Sequence, residues 1–223
     1  MSVVIIILAS LIPGVLWVWF FHSKDRFEKE PLGIVVKTFI FGALAVIPAA
    51  LYELPFRSFI APGATIFTYF WVSFFVIGLG EEFFKFLAIY FSAYHSSEFN
   101  EPVDAIVYAV TAGLGFSVVE NMLYTATFGI HVAPVRAVIA SLAHASFSGL
   151  IGVYMGRAKF GSQPKRDITF GLILAASLHG LYDFILLSHI ASPLFSIALV
   201  GVLYYYLRHQ IDEALSKSPF QED

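Results

Sequence analysis

Residues 66–94 read IFTYFWVSFFVIGLGEEFFKFLAIYFSAY, and the number of times this stretch crosses a bilayer decides the fold. A transmembrane helix needs about 20 apolar residues, so 66–94 is long enough for one tilted or protruding helix. It is also long enough to raise the question of two crossings. The rest of the chain settles the question through its basic residues. Six further apolar stretches, near 3–21, 34–54, 103–127, 135–156, 168–188 and 192–208, each have the length of a span. With 66–94 counted once and the N-terminus outside, the segments 22–37, 157–167 and 208–223 face the cytoplasm. These hold ten of the 13 basic residues, against Arg57 and Arg136 outside and Lys85 within a span. Counting 66–94 twice would put the basic 157–167 segment outside, against the positive-inside tendency. The expectation is therefore a single all-α integral-membrane domain over 1–223, a polytopic helical bundle of about seven spans with a cytoplasmic C-terminus.

Composition agrees. Of the 223 residues, 58% are hydrophobic and 13% charged, where a soluble domain carries about 25% charge. This excludes a soluble globular enzyme, a disordered chain and a nucleic-acid binder; the partner the composition implies is the lipid bilayer. With no cysteine there is no disulfide framework, thiolate metal site or cysteine nucleophile. Met1 to Ser10 holds no Lys or Arg, unlike the basic start of a signal peptide, so the first helix is expected to stay uncleaved. The connections are short and polar, among them Lys29-Glu30-Pro31, Ala61-Pro62-Gly63, Ser96 to Pro102 and Gly161 to Lys165.

Within the spans a few ionisable residues remain: Glu81, Glu82 and Lys85 on the third, Glu120 on the fourth, His144 on the fifth, His179 and Asp183 on the sixth. A charge at the bilayer centre costs at least about 2.5–3.5 kcal/mol, so such groups face the bundle interior and one another. Glu81 and Lys85, Phe116 and Glu120, and His179 and Asp183 are each four apart and share a helix face. Span boundaries put Glu81, Glu82, His144 and His179 near mid-bilayer, with Glu120 and Asp183 toward the outer half. One cluster can contain them all. A carboxylate there could take a proton from water while an imidazole supports an oxyanion, or the set could hold a divalent metal such as zinc through Glu81, Glu120, His144 and His179. A packing network built on Lys85 would leave three acids and two histidines unexplained.

Known intramembrane protease signatures match poorly. None of the seven histidines precedes a Glu, so HExxH is absent. Ser146-Phe147-Ser148-Gly149 lacks the first glycine of a rhomboid-like Gly-x-Ser-Gly. Tyr182-Asp183 supplies half of an aspartyl site, but Gly78-Leu79-Gly80 leads into Glu81.

The set that is present, EExxK at 81–85, FxxxE at 116–120 and HxxxD at 179–183, resembles the PrsW family of intramembrane proteases, within the superfamily of CAAX-processing and bacteriocin-processing membrane proteins. Lys24-Asp25 with Glu30-Pro31, the Asp104 to Tyr108 segment, Glu120-Asn121-x-Leu123-Tyr124 and His144-Ala145 extend the likeness from about residue 13 to residue 187. Ala105 departs from the glycine expected there. The resemblance implies a cell-membrane endopeptidase acting on a single-span membrane protein, in studied relatives the first, extracytoplasmic-side cut of an anti-sigma factor in a stress response. Carried over by position, Glu81 would be the general base with Glu82 sharing its proton. His179 would support the oxyanion or a metal, Glu120 and His144 would complete the site, Asp183 would orient His179, and Lys85 would be a structural counter-ion. Two other classes stand beside it, a carboxylate-based transporter and a non-catalytic membrane scaffold.

The remaining polar residues have simpler readings. Glu53 and Asp104 lie at span ends, where an acid reaches headgroups or a helix N-terminus. His22, His95, His131, His189 and His209 lie in loops or at helix ends, and Asn121 and Ser148 are candidates for interhelical hydrogen bonding.

Overall fold

The computed structural model describes residues 2–61 and 63–221, so Pro62 of the Ala61-Pro62-Gly63 connection lies outside the described residues, as do Met1, Glu222 and Asp223. All regular structure among the described residues is helical. Helix α1 is Val3–His22, α2 is Leu32–Phe59 with a 3₁₀ end at Leu54–Phe59, and α3 spans 66–94 without a break. Then follow α4 (Pro102–Phe128), α5 (Ile130–Phe160), α6 (Pro164–Ser188) and α7 (Leu194–Leu215). Five of these are long and apolar enough to cross a membrane: α1, α2, α4, α5 and α6. Of the other two, α3 carries Glu81, Glu82 and Lys85 at mid-length, and α7 has a polar C-terminal third. Helix α7 runs past residue 208, where its apolar run ends. Gln210, Glu213, Ala214 and Leu215 are good helix formers, and helix propensity does not stop where hydropathy does.

Helix α4 is the axis of the bundle. Of its most apolar stretch 89% is buried, against 11% for α1. Small residues make this possible: Ala105, Ala109, Ala112, Gly113 and Gly115 let α5, α2 and α1 approach closely. Its first turn opens on Pro102, with Asp104 Oδ2 accepting the backbone N–H groups of Asn100 and Glu101 at 2.7 Å each. It ends at Gly129, whose φ of +98° suits a residue without a Cβ.

Outside the core, Val3, Trp19, Phe67 and Leu194 are among many large apolar side chains facing outward, an outer surface suited to lipid.

Two close crossings position the polar interior. A Cβ on Gly78 of α3 would lie 2.4 Å from the Ala176 carbonyl of α6, and one on Gly180 would lie 2.7 Å from Phe74 Cα. A Cβ on Gly113 of α4 would lie 2.7 Å from the His144 carbonyl of α5. Glycine at these points brings the backbones bearing Glu81, Glu82, His144 and His179 together. Helices α3 and α5 also contain π-helical turns, at Val72–Gly78 and Arg136–Ala140, each just ahead of its site residues. Such a turn re-aims the side chains that follow and recurs at functional sites.

Candidate active site

Helix α3 contributes Glu81, Glu82 and Lys85, α4 Glu120, α5 His144, and α6 His179 and Asp183; the fold brings all seven into one interior cluster. Lys85 is fully buried at its centre. Its Nζ donates to Glu82 Oε1 at 2.8 Å, Glu81 Oε2 at 3.1 Å and His144 Nδ1 at 2.8 Å, and lies 4.2 Å from the centre of the Phe116 ring. The i,i+4 and i,i+3 spacing from the two glutamates accounts for the first two contacts. Phe116 lies one turn before Glu120, so the FxxxE spacing places a ring and a carboxylate on the same side of α4.

Each histidine is held from one side by a carboxylate. His144 Nε2 lies 2.7 Å from Glu120 Oε2, and His179 Nδ1 lies 2.9 Å from Glu82 Oε1. The other nitrogen of each ring turns inward: His144 Nδ1 and His179 Nε2 stand 4.0 and 3.8 Å from the same oxygen, Glu81 Oε2. Asp183 Oδ2 approaches His179 Nε2 at 3.4 Å. Its contact is looser than that of Glu82, so the tight orienting partner of His179 comes from α3 and not from its own helix. Phe147 stacks on the His179 ring at 4.8 Å and fixes its plane.

Three neighbours were given other roles in the sequence and not placed in the site. Arg136 Nη2 donates to Glu120 Oε2 at 2.8 Å while its Nε donates to Asn121 Oδ1 at 2.8 Å, and its guanidinium lies 3.7 Å from the Tyr124 ring centre. Eight residues before His144, it falls on the same face of α5, a spacing that could have found it. Ser148, one turn after His144, donates to Glu82 Oε2 at 3.3 Å, the interhelical hydrogen bonding read for it from the sequence, here made to a residue of the cluster. Glu53, read as a span-end acid, lies close enough to feel the charges of Glu81, Glu120 and Asp183.

The donor set fits a metal ion. Glu81, His144 and His179 are buried and each offers a ligand atom, all within 4.8 Å of one another. Two imidazoles and one carboxylate are a tetrahedral zinc donor set that leaves a fourth position open. Carboxylates on the far nitrogens, as Glu120 and Glu82 provide, fix the tautomer that presents a lone pair inward and raise its basicity. Lys85 now donates to the His144 Nδ1 lone pair, so a metal and the ammonium would compete for it.

The family model described as "PrsW family intramembrane metalloprotease" matches residues 30–208. Among curated proteins the chain is similar to "Protease PrsW" of Geobacillus kaustophilus, 38% identical over 186 residues covering 82% of this chain and 80% of the relative. It is likewise similar to "Protease PrsW" of Bacillus subtilis, 34% identical with 81% and 82% covered, and of Clostridioides difficile, 35% identical with 81% and 78% covered. No solved structure matches. Among a peptidase, a transporter and a scaffold, these matches decide for the peptidase, in a multi-pass membrane protein. The chain belongs to the PrsW family of intramembrane metalloproteases.

Proposed function

We propose that this chain hydrolyses a peptide bond of a membrane-anchored protein at the cluster of Glu81, His144 and His179, which hold a divalent metal, zinc by donor type. One observation carries the reading: both inward-facing imidazole nitrogens point toward one carboxylate oxygen, and both outward-facing ones are engaged by Glu120 and Glu82. When bound, the metal supplies Lewis acidity and lowers the pKa of water. The side chains do the rest. Glu120, tied to Arg136, and Glu82, tied to Lys85 and Ser148, lock the two rings. Asp183 is the one acid of the four with no Lys or Arg ion pair among the described residues, and its side chain is 19% exposed. Its Oδ2 is placed to accept a proton from water and pass it to the leaving amine. Lys85 offsets one of the two negative charges of Glu81 and Glu82, which lowers the repulsion that the negative charge of a tetrahedral intermediate would meet.

The seven helices cross with the N-terminus outside and the cluster in the middle to outer half of the bilayer, a reading supported by the cytoplasmic excess of Lys and Arg. A single-span substrate cut on the extracytoplasmic side is consistent with that depth. By family resemblance the substrate is an anti-sigma factor and the cleavage its first cut, opening a stress response.

A second, metal-free reading rests on Lys85. Its ammonium already bonds His144 Nδ1 and Glu81 Oε2, so Glu81 could act as general base beside a resident positive charge. The test uses purified protein in liposomes with a single-span substrate, comparing the parent with Glu81→Gln, His179→Ala and Asp183→Asn, before and after a strong chelator. On the metal reading Glu81→Gln and His179→Ala lose both metal and cleavage, while Asp183→Asn keeps the metal and loses turnover. Cleavage that survives Glu81→Gln and His179→Ala would sink the site assignment, and chelator-resistant cleavage would transfer the chemistry to Glu81.

A further inference from the structure

A second acidic group lies away from the cluster. Asp25 and Glu30, from the connection between α1 and α2, meet Asp104 in the first turn of α4, and all three are buried. Each presents an oxygen within 4.8 Å of those of the other two. Asp104 and Glu120 are 16 residues apart on one helix, or roughly 24 Å, so this group is separate from the protease centre.

Acids buried together need partners, and here they are incomplete. Asp25 is 0% exposed and, among the described residues, neither of its carboxylate oxygens has a side-chain partner; the N–H groups of Phe27 and Glu30 face it at the edge of bonding geometry. Oδ1 of Asp104, a residue only 1% exposed, is also unpartnered, while its Oδ2 takes the N–H groups of Asn100 and Glu101. Glu30 takes the hydroxyl of Tyr108 and also lies within hydrogen-bonding reach of the Asp104 carboxyl. Glu28 and Glu101 add negative charge close by. Among the described residues no Lys, Arg or His side chain is within ion-pair distance of the three.

We infer that Asp25, Glu30 and Asp104 form a binding site for a hard divalent cation, Mg²⁺ or Ca²⁺, that ties the α1–α2 connection to the start of α4. The donors are oxygens without imidazole or thiolate, which selects hard cations over zinc. Two oxygens on opposite sides of a Ca²⁺ ion lie about 4.6–5.2 Å apart, so the observed spread fits Ca²⁺ as it stands, while Mg²⁺ draws the ligands closer or keeps waters. Tyr108 orients Glu30 from behind, as outer partners of metal carboxylates do.

The full chain in detergent, stripped with a chelator, is titrated with Mg²⁺ alone and with Ca²⁺ alone, followed by Tm and by equilibrium dialysis. The same titrations are run on His144→Ala with His179→Ala, which removes the protease centre, and on the near-isosteric Asp25→Asn and Asp104→Asn. The parent and the histidine variant should bind about one equivalent saturably with a rise in Tm, through one ion or both. Asp25→Asn and Asp104→Asn should weaken binding about 10-fold or more. Absence of saturable binding of either ion to the parent overturns the proposal, as does undiminished binding in both Asn variants. Loss in the histidine variant alone would assign the bound ion to the protease centre and overturn it equally. None of these readouts requires proteolysis.

Discussion

Replacing Lys85 with Met keeps an unbranched side chain of similar length and removes the one positive charge buried inside the cluster. The ammonium stands 2.8 Å from Glu82 Oε1 and 3.1 Å from Glu81 Oε2, with all three side chains at or near zero exposure. At an effective dielectric of about 20 the gross attractions are roughly 6 and 5 kcal/mol, and most of each is offset by desolvation of the charges. Removing one partner forfeits the attraction and leaves the desolvation, a net loss of about 3–5 kcal/mol. For a chain of this size that corresponds to a fall in Tm of roughly 6–20 °C. The assay is thermal unfolding in detergent, at fixed protein and detergent concentration, on Lys85→Met, Glu82→Gln and the double variant. The double variant should regain a large part of the loss, because the carboxylate stranded by the first change is neutral after the second. A Lys85→Met variant within a degree of the parent, or a double variant losing the sum of the two single losses, would refute the claim that Lys85 is held there by charge.

Three further outcomes follow from the same geometry. A strong chelator should abolish cleavage of a single-span substrate and zinc should restore it, read by product formation in liposomes. Glu120→Gln should reduce metal affinity or turnover about 10–100-fold, because His144 loses the carboxylate that fixes its ring, and metal content measured beside kcat separates the two. Gly180→Val should destabilise the protein by about 1–3 kcal/mol, since a Cβ there meets the Phe74 backbone at 2.7 Å, whereas Gly201→Ala, with nothing within 4 Å, should leave Tm within a degree or two.

The number of helices and the charged residues buried within the apolar runs of α3, α5 and α6 were legible in the sequence, because an apolar run must be long enough to span and a charge inside it stands out. Partner choice between helices was not. Spacing of four tells which face of a helix a side chain leaves from, and says nothing about which neighbour that face meets. Hence Glu81 and Lys85 could be paired from the sequence, and His179 with Asp183 as well. The tighter bond from Glu82 to His179 depends on how α3 crosses α6 at Gly78 and Gly180. Arg136 was sorted as an external basic residue, since positive-inside reasoning uses such a residue only for orientation; the structure turns it onto Glu120. The π-helical turns ahead of Glu81 and His144 leave no mark in hydropathy. Asp104 shows a similar gap. Its role at a helix start could be read locally, but its meeting with Asp25 and Glu30 requires the α1–α2 connection to fold back onto α4.

Charge counting inside the cluster bears on the choice between metal-assisted and metal-free hydrolysis. Fully ionised, Glu81, Glu82, Glu120 and Asp183 bring four negative charges, against the ammonium of Lys85 and the guanidinium of Arg136. Two negative charges remain, the amount one divalent cation carries. Neutral imidazoles do not alter that sum, and metal ligation requires them neutral. A general base alone would leave the surplus in place and move one of its charges onto the tetrahedral oxyanion, in a region where unpaired charge is expensive. The hydrogen bonds point the same way. With Glu120 and Glu82 on the far nitrogens of both rings, the inward nitrogens of His144 and His179 both stand near Glu81 Oε2, the first also taking the Lys85 ammonium and the second flanked by Asp183. An imidazole meant to donate to an oxyanion would need a proton on that inward nitrogen, which is where the carboxylates behind the rings direct the lone pair.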